Sequence, residues 1–366
     1  MTLELSSEVR DLLALQLVPG IGPRLTAALI ERFGSAGSVL KATPGKLQQV
    51  PHIGPKLAQS IYEAMRRGDV TAELELMERL GVRLLVRGTE DYPKPLRTIS
   101  DPPYLLYMRG AIEPGDDNAI AIVGSRHCTS YGKRVAERLA GDLSRAGFTV
   151  ISGLARGIDG IAHRAALQAG GRTIAVLAGG LSRIYPPEHA ELADQVVTRG
   201  ALLSESSLRM EPMSGMFPAR NRLISGLSRA VVVIEAAERS GALITATHAA
   251  DQGRTVFAVP GPLDSEASAG THQLLRKGAV LIRGINDVVE ELDGVKAIVA
   301  RAPAKPPPEM DALQKQVWEF LQERPRHIDE IAQGLRLPVP QISSTLLMLE
   351  MKRVVRRLPG NQYERC

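Results

Sequence analysis

Between residues 82 and 283 the chain alternates short apolar runs with stretches in which apolar residues recur at helical spacing. The runs are VRLLV, AIAIV, FTVIS, TIAVLAG, ALLSE, AVVVIEA, TVFAV and AVLIR. Several are continuous rather than alternating, the pattern of strands covered on both faces. Strands separated by helices predict βαβ units with right-handed crossovers. The expected fold class is therefore α/β, a doubly wound, Rossmann-like, mostly parallel sheet over 81–298.

The pattern changes on either side. Residues 1–80 read as helical and contain a weak repeat: LVPGIGPRLTAALIERF from Leu17 and QVPHIGPKLAQSIYEAM from Gln49. Each copy places a Pro-x-Ile-Gly-Pro turn before an amphipathic helix, which resembles a tandem helix-hairpin-helix of the SAM-like kind. Such hairpins aim backbone N–H groups at a phosphate. The first copy has Gly20 and Gly22. The second has His52 in place of the first glycine, so DNA contact is expected of the first more than of the second. Residues 299–310 lie in RAPAKPPPEM and its approach, a proline-rich linker. From 311 to 366, three helical segments precede VVRRLPGNQYERC, a hairpin around Pro359-Gly360-Asn361. Three helices and a hairpin predict a winged helix. Only Gln341 on its third helix suits base readout, while the wing carries Arg356 and Arg357. Contact with DNA and contact with a protein both stay open for this unit.

Composition narrows the picture. A chain of 366 residues favours more than one domain, and 44% hydrophobic content is ordinary for a globular protein. No run approaches the ~20 apolar residues of a membrane span, and the first residues lack a signal-peptide pattern. The net charge of +5 permits a nucleic-acid partner without requiring one. The two cysteines, Cys128 and Cys366, supply neither a disulfide framework nor metal spacing. A cytoplasmic location without a cofactor or metal is expected. Cys128, near a helix start, is a space-filling residue with a reactive thiol as the alternative.

In a doubly wound sheet, ligands bind beyond the carboxyl ends of the strands, so the strand-end loops are the candidate site. The first, VGSRHCTSYGKR, offers Gly124 for a tight exit, Ser125 as a donor, Arg126 for a phosphate and Thr129 or Ser130 as an N-cap. It has neither G-x-G-x-x-G nor a Walker lysine. The second, ISGLARGIDGIAHRAAL, has Ser152 and Gly153 at a strand end, then Gly157 and Asp159. His163 falls four residues after Asp159, which suggests a capping aspartate beside a structural histidine, or an acid–base pair. The third, LAGGLSRIYPPEHAEL, has Gly179, Gly180 and Arg183. The fourth, SGMFPARNRLISGLS, sets Phe217 before Arg220, Asn221 and Arg222. A base stacked on an aromatic ring gains ~1–3 kcal/mol while arginines hold its phosphates; core packing is the other fate for Phe217. The fifth, EAAERSGALITATHAA, opens a helix at Ser240 and Gly241 with Thr245 one turn in, an anion-ready nest. A row of such loops suits a polymer better than a mononucleotide.

The segments AIVGSRHCTSYG, ISGLARGIDGIAH, FPARNRLISGLS and SGALITATHAADQGR, with AVPG after them and EDYPKPLRTISDPPYLLYMRG before them, resemble the DprA/Smf family of DNA-processing proteins across essentially the whole chain. The resemblance implies a non-catalytic single-stranded DNA-binding protein of homologous recombination and natural transformation (competence). It would protect single strands, bind double-stranded DNA more weakly, help load the RecA recombinase and act as a homodimer. Carried over, Gly124, Ser125 and Arg126 would hold phosphates, with Ser152, Gly153 and Arg156 lining the same pocket. Phe217 would stack on bases, Arg220 and Asn221 would anchor the strand, and Ser240, Gly241 and Thr245 would complete the site. His127-Cys128 is an unusual pair in the first loop. Pro187 stands where a basic residue would serve DNA better, a departure of the third loop from the family pattern. In THQLLRKGAVLIRG, the apolar Leu274, Leu275 and Leu281 are the candidate dimer interface.

A second reading is an enzyme acting on nucleoside monophosphates. The fold resembles that of phosphoribohydrolases, whose Pro-Gly-Gly-x-Gly-Thr loop works with a glutamate. Here ERSGALITA lacks that loop, and Glu235 precedes the helix instead of lying within it.

Overall fold

The structure, a computed structural model, describes residues 5–67, 70–292, 294, 310–321, 325–352, 354–358 and 360–365. Of the expected linker only Met310 falls among them; Pro359 and Cys366 lie outside. The chain divides into two compact units, Met1–Pro303 and Ala304–Cys366.

The first unit opens with six helices: α1 (Ser7–Gln16), α2 (Pro23–Phe33), α3 (Ala36–Lys41), α4 (Pro44–Leu47), α5 (Pro55–Arg67) and α6 (Thr71–Leu80). The repeat maps onto the α1–α2 and α4–α5 connections. His52 adopts φ +68°, in the positive range where Gly20 sits at +91°, so the second turn survives the missing glycine. The helices do not keep a core of their own. Leu12, Leu13, Leu29, Leu47 and Met77 share one apolar cluster with Tyr107, Leu177, Leu192, Leu202 and Leu208 of the following sheet layer. Glu73 fixes the seam by accepting from the Leu208 N–H at 2.7 Å.

The sheet strands are β1 (Val82–Val86), β2 (Leu105–Gly110), β3 (Ala119–Val123), β4 (Thr149–Ser152), β5 (Thr173–Leu177), β6 (Gly200–Ser204), β7 (Ala230–Val233), β8 (Thr255–Ala258) and β9 (Val280–Leu281). Their order is β1-β2-β6-β5-β4-β3-β7-β8-β9. β1 with β2 and β2 with β6 are antiparallel; every other pairing is parallel. β2, in YLLYMRG, is the strand missing from the apolar runs singled out above. Helices α7 (Ser130–Arg145), α8 (Ile158–Gln168), α9 (Ala190–Arg199), α10 (Met216–Gly226), α11 (Gly241–Asp251), α12 (Ala269–Arg276) and α13 (Ile285–Glu291) cover the sheet. The two faces follow the pleat. Ile120 and Ile122 pack with Val135, Leu139 and Ile158 of α7 and α8, while Ala121 and Val123 pack with Leu223 and Ile224 of α10. From β3 the chain winds one way through β4, β5 and β6, then returns to β7 on the other flank. The switch point between β3 and β7 is the position at which such sheets bind ligands.

The second unit has α14 (Ala312–Phe320), α15 (Ile328–Leu335) and α16 (Val339–Met351), with a sheet ordered β10 (Arg326–His327), β12 (Gln362–Arg365), β11 (Val355–Leu358). It is a winged helix around Val317, Ile331, Ile342, Leu346 and Tyr363. The wing arginines are engaged locally, Arg356 with Glu364 and Arg357 with Asn361. The outer face of α16 presents Leu347, Met348 and Met351.

Candidate functional site

A groove of about 600 Å³ lies over the switch point. One wall is the β3–α7 loop with Gly124, Ser125 and Arg126. The other is the start of α11 with Ser240, Gly241 and Thr245. Phe217, Arg220 and Asn221 of α10 run between them. The sequence thus brings four of its five candidate loops to one place, with Ala155 and Asp159 supplying the second. A small hollow beside the groove adds Gly153, Arg156, Gly179, Arg183 and Tyr185, so the third loop joins as well.

Local chemistry explains the loop shapes. Gly124 leaves β3 where a Cβ would meet Ile158 at 2.7 Å. Gly157, at φ +71°, would collide with the Ser125 carbonyl oxygen at 2.2 Å, so only glycine lets the β3 and β4 loops cross so closely. The Ser125 carbonyl accepts from the Ile158 N–H at 3.2 Å, and its hydroxyl accepts from the His127 N–H at 3.1 Å. Thr129 caps α7, accepting from Gly132 at 3.2 Å. Its N–H and hydroxyl donate to Glu235 at the end of β7, at 2.8 Å and 2.5 Å. Both oxygens of Glu235 thereby close the first loop, and Gly132 is required because a Cβ would strike that carboxylate. Burial, then the Glu235 charge, pushes the Cys128 thiol up, opposite to an activated nucleophile. Ser240 caps α11, its hydroxyl accepting from Ala242 at 3.3 Å.

Arg126 is exposed and holds its guanidinium 4.9 Å from the Phe217 ring centroid, within cation–π range. Phe217 is half-buried, facing the groove rather than the core. The other arginines depart from the sequence expectation. Arg220 is buried to 7% exposure and donates to the carbonyls of Gly153, at 2.8 Å, and Val176. Burial pushes it down to about 10, with Asp159 opposing and Arg126 reinforcing. It remains a cation at neutral pH and forms the groove floor. Gly153 is glycine because a Cβ would lie 2.5 Å from that guanidinium. Arg222 does not reach the groove. It is buried against Glu205 at 2.6 Å and Asp101 at 3.5 Å, and Asp101 also pairs with Arg24 at the start of α2. Asn221, rather than reaching out as an anchor, donates to the Gly241 carbonyl at 3.3 Å and ties α10 to α11. Ser152 is fully buried and donates to the Ile122 carbonyl at 2.6 Å; it holds β4 to β3 instead of lining the pocket. Arg156 and Arg183 are exposed and ion-paired with Glu188 and Glu211.

Asp159 and His163 do not form an acid–base pair. Asp159 accepts from the N–H groups of Gly153 at 3.1 Å and Ala155 at 3.4 Å, and burial raises it despite Arg220. His163 bonds Thr173 at 2.7 Å through Nδ1; Thr173 in turn donates to Val150. His163 Nε2 is buried without a partner among the described residues, and burial pushes the ring down to about 3. Among the described residues no cluster of His, Cys, Asp and Glu has metal-binding geometry, and no helix is long and apolar enough to cross a membrane.

Both N-terminal hairpins leave their turns exposed, at Gly20 and Gly22 in the first and at His52 and Gly54 in the second. The first, expected to face DNA, also lines a cleft of about 370 Å³ against Tyr104, Glu205 and Met210 of the sheet layer. The second leaves Lys56 exposed as well. Leu274 and Leu275 are partly buried, while Leu281 is exposed on the edge strand β9. Sequence reasoning passed over Tyr185, Glu188, Glu211 and the capping role of Glu235. It also passed over the exposed Arg239 on the groove wall.

Three family profiles match the chain: DNA recombination-mediator protein A over residues 83–293, the DprA winged helix domain over 301–361, and the SAM-like helix-hairpin-helix tandem over 11–67. Protein Smf of Synechocystis is 34% identical over 98% of this chain and 99% of its own length. DNA processing protein DprA of Bacillus subtilis is 44% identical over 58% of this chain and 72% of its own. Among solved structures, DNA processing protein A from Streptococcus pneumoniae superposes with a TM-score of 0.67 at 33% identity, over 79% of this chain and 99% of that one. DNA processing protein A from Helicobacter pylori, described for its single-stranded DNA binding mode, superposes with a TM-score of 0.50 at 31% identity, over 60% and 94%.

Proposed function

Because this chain belongs to the DNA recombination-mediator protein A (DprA/Smf) family, we propose that it binds single-stranded DNA in the switch-point groove and hands that strand to the RecA recombinase. The observation that carries the reading is Phe217 with Arg126 over its ring, set between the β3–α7 loop and the start of α11. A ring and a cation at that spacing suit one nucleotide, and the helix N-terminus beside them suits the next phosphate. Gly124, Ser125 and Arg126 contact phosphate, Arg220 supplies the fixed positive floor, and Ser240 and Gly241 hold a second phosphate. Ser152, Gly153, Asn221 and Thr245 shape the groove. The chain self-associates through the open β9 edge, where Leu281 is exposed. Such a protein acts in the cytoplasm during recombination and natural transformation, without catalysis.

The test is a mobility-shift titration of the full chain on single- and double-stranded oligonucleotides at several salt concentrations. Tighter retention of the single strand, falling with salt, is expected. Absence of single-strand binding at low salt overturns the reading.

A further inference from the structure

Tyr185 sits in the β5–α9 loop, the one loop whose sequence offered DNA least. It is 43% exposed, whereas Tyr92 and Tyr107 are 1% and 0% exposed. Its position is fixed by its surroundings. Leu181 and Pro186 are buried, Ser182 donates its N–H to the Leu208 carbonyl at 3.1 Å, and the buried His189 bonds the Leu154 carbonyl at 2.9 Å. The Tyr185 ring packs on Phe217, centroids 5.9 Å apart and planes 57° from parallel. Arg126, Arg156 and Arg183 line the same hollow as Tyr185 and Phe217.

We propose that Tyr185 is a second base-stacking residue, which takes the nucleobase next to the one held at Phe217. This rests on the single-stranded DNA reading above. The geometry decides how the base lies. Sandwiching it between the two rings takes about 7 Å between parallel planes, at roughly 3.5 Å for each contact. The rings are closer than that and tilted, and the hollow that they line together with Arg126, Arg156 and Arg183 is only about 20 Å³, room for about one water. The base therefore lies on the solvent-facing side of Tyr185, while Phe217 supports the inner side. The phosphate of that nucleotide falls to Arg156, displacing Glu188. A ring already held in place loses little side-chain freedom on binding, so most of the stacking gain reaches affinity.

The experiment compares wild type, Tyr185→Ala and Tyr185→Phe by fluorescence anisotropy on two strands of equal length and charge, oligothymidylate and an abasic oligodeoxyribose phosphate. Thermal melts check that the variants are folded. Tyr185→Ala is expected to weaken oligothymidylate binding roughly 5- to 150-fold. Tyr185→Phe should stay within about threefold of wild type, and the abasic strand should be nearly insensitive to both changes. Unchanged oligothymidylate binding by Tyr185→Ala overturns the proposal. So does an equal loss on the two strands, since a purely structural or electrostatic role does not distinguish them. Failure of wild type to bind either strand sinks the DNA reading itself, an outcome separable from both.

Discussion

Arg126 and Arg220 share the groove and differ in everything but charge. Arg126 reaches into solvent over Phe217, whereas Arg220 is locked under Gly153 and Val176. Arg126→Ala is therefore expected to weaken single-strand binding across all sequences. It should also flatten the slope of log affinity against log salt by about 0.7, one phosphate's share; an unchanged slope measured by anisotropy would remove Arg126 from the contact set. His163 gives a residue-scale prediction of another kind. The folded ring titrates near 3 and the unfolded one near 6.5. Below pH 6.5 the unfolded chain binds a proton that the folded chain refuses. The stability is thus complete above pH 6.5 and declines as pH falls towards 3. Between pH 7.5 and 5.5 the loss from this group is about 1.4 kcal/mol. Urea unfolding of wild type and His163→Gln at the two pH values checks it: the variant should lack that share of the decline. The sequence shows Arg126, Arg220 and Arg222 as equals, each a few residues from a strand-end turn. Only the packing of α10 against β4 and β5 separates a contact from a floor and from an internal ion pair.

At the scale of elements, the loops were legible because strand ends follow from apolar runs and the sheet rule places them on one edge. What joins one loop to another was not. Glu235 closes onto Thr129 across 106 residues of sequence, and Arg156 meets Glu188 across 32. Nothing local marks those pairs. β2 was missed for a related reason: a short apolar run after Pro102-Pro103 fits a buried strand or a buried helix turn equally. The crossing of the β3 and β4 loops gives a prediction here. Gly157→Ala combines an unfavourable φ with a backbone collision, and should cost about 2–4 kcal/mol in denaturant unfolding. Single-strand affinity should fall with it, because the Ser125 carbonyl moves. Near-native stability would show that the two loops can separate without harm.

For the whole molecule, the helical N-terminus and the α/β sheet are two sequence patterns over one continuous core. Deleting residues 1–80 should bare Tyr107, Leu177, Leu202 and Leu208, giving an aggregating protein that binds hydrophobic dyes. Cutting between 303 and 304 should leave two soluble pieces, each with its own melting transition. A soluble, cooperatively melting 81–303 fragment would contradict the shared core. The charge layout has a further consequence, through the ion pairs of Arg156 with Glu188 and Arg183 with Glu211. These two arginines carry their counter-anions on the chain itself. When a strand takes a glutamate's place, that carboxylate swings aside but stays tethered, so no small anion leaves the protein at those positions. Exchanging chloride for a weakly binding anion such as acetate should then change affinity little, although total salt still changes it strongly through cations released from the strand. The protein would thus discriminate between incoming polyanions and the free anions around it before any strand arrives.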